Sequence, residues 1–66
     1  MELLIIKSDT RYIRVREDGF ELVNLDKASV FPMDQVDRVQ DHETRLKTLG
    51  FKSVHIKKLI LSETDL

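Results

Sequence analysis

The first third of the chain alternates apolar and polar residues, a pattern that is typical of half-buried β-strands. The alternating stretches are rich in Ile, Val, Leu, Tyr and Phe, and short segments of turn-forming residues separate them. They cover residues 3–7, 12–17 and 20–25. The pattern therefore predicts three consecutive antiparallel strands.

Two turns set the predicted register of these strands. Asp-Gly at residues 18–19 suits a type I′ turn, which needs positive φ at both central residues. A second turn is expected at residues 9–10, in the polar segment between the first two strands. The predicted opposite pairs are Arg16 with Glu21, Val15 with Leu22, Tyr12 with Leu25, Ile6 with Ile13 and Leu4 with Val15.

Side chains on a strand alternate between two faces, and the two faces of this predicted meander differ in composition. One face is apolar and is the predicted core face, whereas the other mixes apolar and charged side chains. The core face consists of Leu4, Ile6, Ile13, Val15, Phe20 and Leu22. The other face consists of Leu3, Ile5, Tyr12, Arg14, Arg16, Glu21, Val23 and Leu25.

A helical pattern follows in the segment VFPMDQVDRVQDHETRLKTLGF. Pro32 suits the first position of a helix, where its missing N–H loses no hydrogen bond. Gly50 suits the left-handed residue after a helix, and Phe51 suits the contact back to Leu46 that accompanies such a cap. The segment predicts one amphipathic helix of about 17 residues, starting at Pro32. Its apolar stripe consists of Val36, Val39, Leu46 and Leu49.

A fourth strand over residues 53–62 completes a βββαβ order. Because the first strand is apolar on both faces, it suits a central position, with the fourth strand beside it and parallel to it through a right-handed crossover. The expected fold is a single α+β domain over residues 1–66, with a four-stranded mixed sheet in the order 4-1-2-3 and one helix on one face. Order 1-2-3-4 is the alternative, and residues 62–66 are expected to form a frayed tail.

The fourth strand changes rhythm half-way. Val54 and Ile56 alternate with polar residues, but three apolar residues follow the lysine pair at 57–58. In a regular strand, Leu59 and Leu61 face away from the helix and one lysine must snorkel from the core side. A bulge at the lysine pair would instead return both leucines to the core. We favour the regular strand, because the first strand is also apolar on both faces.

This arrangement leaves apolar residues on the sheet face that the helix does not cover. Exposed apolar patches above a few hundred Å² usually mark interaction sites, and the simplest cover is a second copy of the chain in a two-fold dimer. We therefore expect a protein-interaction or self-association module, with a homodimer or another protein as partner. The candidate interaction face consists of Leu3, Ile5, Val23, Leu25, Leu59 and Leu61.

A second function is suggested by Tyr12, Arg14 and Arg16, which alternate along one strand and so share a face. An aromatic residue among arginines on an open sheet is how several folds bind single-stranded nucleic acid, by base stacking within a positive field. Such surfaces usually carry more than one exposed aromatic residue, and Glu21 is expected to pair with Arg16. Single-stranded nucleic-acid binding is therefore the alternative hypothesis.

The chemistry-bearing residues form no catalytic or metal-binding pattern. Residues 41–43, Asp-His-Glu, are consecutive in the predicted helix and point about 100° apart, so they do not converge on one proton or metal. His42 is expected in solvent or at the edge of the apolar stripe, and His55 partly exposed in a strand. The chain has two glycines, which are assigned to a turn and a cap and not to a phosphate-binding loop. We expect no catalytic residues, no cofactor and no metal, and a protein that is not an enzyme.

Composition narrows the class of protein further. The 66 residues have a net charge of −1, which argues against a general polyanion binder, and they include no cysteine. So short a chain buries a thin core, and without disulfides oligomerisation is a remaining way to reinforce it. No apolar run approaches the roughly 20 residues of a membrane-spanning helix, and no secretory signal pattern is visible. We therefore expect a cytoplasmic protein with no membrane partner.

Three segments, LDKASVFP, GF after the helix and IKKLILSE, carry a resemblance to known sequences. Through them the chain resembles small uncharacterised proteins encoded in bacterial chromosomes and prophages, over nearly its whole length. The resemblance implies no activity. It implies a compact bacterial or phage accessory protein, of a kind that is more often a binder than a catalyst.

Overall fold

The structure is a computed structural model that describes residues 1–65. It contains a five-stranded antiparallel sheet and one helix, so the chain is a small single-domain α+β protein. The elements are β1 (Glu2–Ser8), β2 (Arg11–Arg16), β3 (Gly19–Val23), β4 (Phe31–Pro32), α1 (Val36–Thr48) and β5 (Val54–Ile60). Residues 61–65 form neither helix nor strand, and Leu66, at the end of the predicted tail, lies outside the described residues.

β1 is the central strand, and its neighbours β2, β4 and β5 all run antiparallel to it. β5 pairs with one edge of β1 over all 7 of its residues. The other edge is shared, because β2 pairs with residues 7–8 of β1 and β4 pairs with residues 3–4. β3 extends the sheet beyond β2.

The predicted four-stranded mixed sheet with a βββαβ order is wrong in two respects. A fifth strand, β4, precedes the helix, and β5 lies beside β1 but antiparallel to it. The two differences are linked, because the helix starts from β4 and leads to β5. Both strands are antiparallel to β1 and are therefore parallel to each other. The helix thus connects β4 to β5 on either side of β1, and the crossover does not lead to a strand parallel to β1.

β4 exists because β1 and β2 separate after the first turn. The turn at residues 9–10 gives the predicted register, but pairing stops beyond Tyr12. Leu4 consequently lies opposite Phe31 of β4 and not opposite Val15 as predicted. A strand of 2 residues shows no periodicity, so the sequence pattern alone does not reveal it.

Ser29 joins the inserted segment to β2. Its backbone N–H donates to the Ile13 carbonyl at 3.1 Å, and its side-chain Oγ accepts from the Val15 N–H at 2.8 Å. The segment before β4 therefore supplies hydrogen-bond partners for backbone groups of β2 that do not pair with β1. Buried backbone groups require such partners.

The second hairpin forms as predicted, but its register is displaced by two residues. Arg16 lies opposite Gly19, so the loop consists of residues 17–18. Asp18 does not have the positive φ that a type I′ turn requires, whereas Gly19 has a φ of 148°. Because the displacement is an even number, the side chains that lie in β2 and β3 keep their predicted faces.

α1 begins later than predicted. Pro32 is the second residue of β4, with an extended ψ of 154°, and a 3₁₀ turn over Met33–Gln35 separates it from α1. The predicted stripe is correct at its centre, where Val39 and Leu46 are fully buried, but wrong at both ends, where Val36 is 40% exposed and Leu49 is 64% exposed.

The end of α1 has the predicted glycine cap, with Gly50 at a φ of 95°. The Gly50 N–H donates to the Lys47 carbonyl and the Phe51 N–H donates to the Leu46 carbonyl, each at 3.1 Å. These are the two hydrogen bonds of a Schellman cap. Phe51 and Leu46 both belong to the core, which supplies the apolar contact of the motif.

The core fills the space between α1 and the sheet face that α1 covers. It contains five of the six residues predicted for the core face; the exception is Leu22, on the outer strand β3, which is exposed. The buried members are Leu4, Ile6, Ile13, Phe31, Val39, Leu46 and Val54, with Val15, Phe20, Phe51 and Ile56 packed against them.

Replacing the cap glycine tests the helix terminus. Nothing lies within 4 Å of a Cβ added at Gly50, but Gly50→Ala places an L residue at φ 95°, so we expect a loss of about 1–2 kcal/mol in the free energy of unfolding. Urea denaturation followed by circular dichroism measures the loss. Gln40→Ala, at an exposed position within α1, is the matched control and should leave stability nearly unchanged. Equal stability of the two variants would contradict the cap.

Candidate interaction surface

The sheet face opposite α1, here called the second face, is organised in rows across the strands. Directly opposed residues of antiparallel strands share a face, so the register shows which side chains are neighbours. The rows, read outward from β5, are His55–Lys7–Tyr12–Val23, Lys57–Ile5 and Leu59–Leu3–Pro32, with Arg14–Glu21 on the β2–β3 hairpin, here called the outer hairpin. Basic and apolar residues therefore occupy different ends of the second face.

At the apolar end, four side chains of the β1–β5 pair and its extension form a group that is here called the apolar ladder: Met1, Leu3, Leu59 and Leu61. Backbone hydrogen bonds of 2.8 and 3.0 Å between Met1 and Leu61 extend the pairing of β1 with β5 beyond Leu3 and Leu59. Strand alternation places all four side chains on the second face. Met1 is 81% exposed and Leu61 is 45% exposed, whereas Leu3 and Leu59 are half-buried.

Two predicted interaction residues are not available to a partner. Ile5 and Val23 are only 4% and 5% exposed, although neither belongs to the cluster packed against α1. The second face is therefore not uniformly uncovered, contrary to expectation. Lys7 and Tyr12 are paired with each other and lie between Ile5 and Val23 on this face. Their side chains lie side by side, with Lys7 Nζ 5.4 Å from the centre of the Tyr12 ring.

The other predicted interaction residues separate into two places. Leu3, Leu59 and Leu61 come together in the apolar ladder. Leu25 is exposed but lies outside the sheet, in the 3₁₀ turn that follows β3. The sequence-based prediction missed Met1, whose place follows from continuing the register of β5 by one residue pair.

β5 is a regular strand, so the predicted alternative of a bulge at residues 57–58 is wrong. Its register with β1 is continuous, and Leu59 lies opposite Leu3 on the second face. Lys58 lies opposite Leu4 on the face toward α1, but its side chain is half exposed and its Nζ is 3.6 Å from Glu2 Oε2. Lys58 therefore snorkels to an ion pair at the sheet edge, as expected for a long cationic side chain.

The three predicted nucleic-acid contacts, Tyr12, Arg14 and Arg16, share the second face but differ in availability. Arg16 is paired with Glu21, with Nε 3.0 Å from Oε2, as predicted. Tyr12 is half-buried beside Lys7. Arg14 is exposed and takes part in no ion pair within residues 1–65.

The structure adds His55 and Lys57 to the basic end of the second face. Antiparallel pairing places His55 opposite Lys7 and Lys57 opposite Ile5, so β5 contributes its basic half here and its apolar half to the ladder. We call Lys7, Tyr12, Arg14, His55 and Lys57 the basic group. The sequence-based prediction, which rested on alternation along a single strand, did not include the two β5 residues.

The two histidines lie on different elements, His42 on α1 and His55 on β5. Within residues 1–65, no group of three or more His, Asp or Glu side chains is placed to hold a metal ion. His55 is exposed on β5, as expected. His42 is half-buried, and its ring packs against Phe20 and Phe31.

No protein-family model, curated protein or solved structure matches the chain. Among the described residues, no helix combines the length and the apolar character needed to cross a membrane. The resemblance to bacterial and prophage proteins therefore stays a prediction.

Truncation of Ile5 tests whether the centre of the second face is part of the folded core. Because Ile5 is nearly fully buried, Ile5→Ala is expected to lower the free energy of unfolding by about 2–5 kcal/mol. Leu61→Ala, on the same face but exposed, should cost less than about 0.5 kcal/mol. Urea denaturation compares the two variants, and similar losses for both would contradict the division of this face into buried and exposed parts.

Proposed function

We propose that this chain is a non-enzymatic interaction module that associates with a second copy of itself through the apolar ladder. The observation that carries the proposal is the exposed apolar end of the β1–β5 pair, where Met1 and Leu61 are 81% and 45% exposed. A two-fold contact is self-complementary, so one short apolar surface is sufficient to form it. The biological setting that we propose is that of a small bacterial or phage accessory protein acting in the cytoplasm.

The size of the ladder indicates a weak dimer. Stable interfaces bury about 1,200–2,000 Å² in total, and four side chains, two of them already half-buried, supply less than that. Association is therefore expected in the high micromolar range, as for a transient contact. Truncating one exposed ladder residue should remove a large part of so small an interface.

Charge limits the contact to the apolar end of the second face. The sheet part of this face carries four basic side chains, Lys7, Arg14, Arg16 and Lys57, against Glu21. Full overlap of two such faces would bring like charges together. The resulting electrostatic repulsion decreases as the salt concentration rises, because ions screen it. Self-association through the ladder should therefore become stronger as the salt concentration rises.

Sedimentation equilibrium over low to high micromolar concentrations tests the dimer. The unchanged chain should form dimers that increase with sodium chloride, and Leu61→Lys should weaken dimerisation by tenfold or more, because it buries a charge in the contact. Leu49→Lys is the matched control, since Leu49 is 64% exposed but lies at the end of α1. A strict monomer at high concentration and high salt, or equal effects of the two variants, would show that the proposal is wrong.

A second candidate is the binding of single-stranded nucleic acid by the basic group. The observation that favours it is the antiparallel register, which adds His55 and Lys57 to the surface that Lys7, Tyr12 and Arg14 form. Such surfaces combine phosphate contacts from cations with base stacking on an aromatic ring. Here the single aromatic residue, Tyr12, is half-buried beside Lys7, so stacking is limited and phosphate contacts would dominate.

Fluorescence anisotropy with a labelled single-stranded oligonucleotide tests this candidate. Binding should weaken steeply with salt, and Arg14→Ala or Lys57→Ala should each reduce the slope of log affinity against log salt by about 0.7, the value for one phosphate contact on a single strand. Lys47→Ala is the control, because Lys47 pairs with Glu43 on α1 at 3.8 Å. Absence of binding at low salt would exclude this candidate, and the opposite salt dependence separates it from dimerisation.

A further inference from the structure

His42 lies at the contact between the outer hairpin and α1, on the side of the sheet away from the second face. Its ring centre is 5.7 Å from that of Phe20 in an edge-to-face arrangement and 5.8 Å from that of Phe31. Phe20 belongs to β3 and Phe31 to β4, so the imidazole connects the helix with two separate strands. A cleft of about 300 Å³ opens beside it, between the hairpin loop and α1.

The two ring nitrogens of His42 are in an unusual position for polar atoms. Both are shielded from solvent, and within residues 1–65 neither has a hydrogen-bond partner. A neutral imidazole carries one N–H donor, whereas an imidazolium carries two donors and a full charge. Burying the charged form without an acceptor costs far more than burying the neutral form, so this aromatic site favours the neutral ring.

The charged groups around His42 come from the helix and from the hairpin. On α1 the neighbours are Arg38, Asp41 and Arg45, and the guanidinium of Arg45 lies 5.6 Å from the centre of the Phe20 ring. Burial lowers the pKa of His42, Arg38 and Arg45 lower it further, and Asp41 opposes them. β4, at Phe31–Pro32, contributes no ionisable group.

The hairpin loop brings charges of both signs to the same cleft. Arg16 is already paired with Glu21, and Glu17 and Asp18 also line the cleft. The two carboxylates would favour an imidazolium, but neither forms a hydrogen bond with the ring nitrogens. To reach them, the imidazole must leave its place between Phe20 and Phe31.

We propose that His42 is an acid-sensitive latch that holds the β2–β3 hairpin against α1 while its imidazole is neutral and releases the hairpin when the imidazole is protonated. β3 is the outer strand of the sheet, and its Phe20 makes ring contacts with His42 and Phe51 and a cation–π contact with Arg45. A protonated ring turns toward water or toward the loop carboxylates, and the aromatic contact with Phe20 is lost.

The direction of the pH effect follows from linkage. In the released hairpin the pKa of His42 approaches the ordinary value of about 6.5, whereas in the closed form its pKa is lower. Above about pH 6.5 both forms hold a neutral ring, and the closed form keeps its full stability. As the pH falls from 6.5 toward the lowered pKa, the released form binds a proton that the closed form does not, so the closed form loses stability.

The latch is independent of the proposed self-association, but it affects the second face. Arg14 of the basic group belongs to the strand pair that the latch holds, opposite Glu21. Release of the hairpin would therefore disturb the basic group before the apolar ladder, which the pairing of β1 with β5 holds separately.

An NMR and stability titration between pH 8 and pH 5 tests the latch on the whole chain. The His42 ring proton should titrate with a midpoint below about 6.5. The unfolding equilibrium constant should rise as the pH falls, up to about tenfold for each unit between the two pKa values. Hydrogen exchange of β3 amides, corrected for the intrinsic rate, should accelerate at pH 5 relative to amides of β1.

Two variants separate His42 from the other histidine. His42→Phe fills the aromatic site without an ionisable group and should abolish the pH dependence in this range, whereas His55→Gln removes the exposed histidine and should preserve it. A midpoint at or above 6.5 in the unchanged chain would overturn the proposal even if His42→Phe fails to fold. Unchanged protection of β3 amides, or loss of the pH dependence in His55→Gln, would overturn it as well.

Discussion

The whole fold depends on the need to pair both edges of β1. This strand is buried on both faces at Leu4, Ile5 and Ile6, so its backbone N–H and C=O groups are remote from water and must be hydrogen-bonded on each side. β5 satisfies one edge completely. On the other edge β2 pairs with residues 7–8 and β4 pairs with residues 3–4, and the segment before β4 bonds to β2 through Ser29. The helix then carries the chain across β1, from β4 to β5.

The antiparallel direction of β5 determines the character of the second face. On the second face, β5 is basic first, at His55 and Lys57, and apolar at Leu59, whereas β1 is apolar at Leu3 and Ile5 and basic at Lys7. On the second face, antiparallel pairing therefore places Leu59 beside Leu3 and His55 beside Lys7, with Lys57 opposite the buried Ile5 between them. A parallel β5 would have set His55 near Leu3 and Leu59 near Lys7, giving a mixed surface without a distinct end for either kind of contact. The direction of one edge strand thus produces both candidate surfaces.

The elements that the sequence predicts correctly are those with a periodic or local signal. Alternation gives the three N-terminal strands and their faces, Gly50 gives the end of α1, and the repeated pattern after Ser53 gives a regular β5. β4 has no such signal, because 2 residues show no period and its bonds are made by distant parts of the chain. The burial of Ile5 and Val23 on the second face, and of the His42 ring, depends on side chains that only the assembled sheet brings together. An apolar pattern identifies the faces of a sheet, but not which parts of a face remain accessible.

The two ends of the second face are anchored with unequal strength. The apolar ladder lies on β1 and β5, which pair along their whole length and are tied again by Met1 and Leu61. The basic group spans the junction of β1 with β2, where 2 residue pairs are in register before the strands separate. Cooperative opening is easiest where the fewest backbone hydrogen bonds hold an element. The outer hairpin is therefore the part of the sheet that can move while β1, β5 and α1 stay together, and it depends for its position on Ser29 and on the aromatic contacts of Phe20 with the helix side of the core.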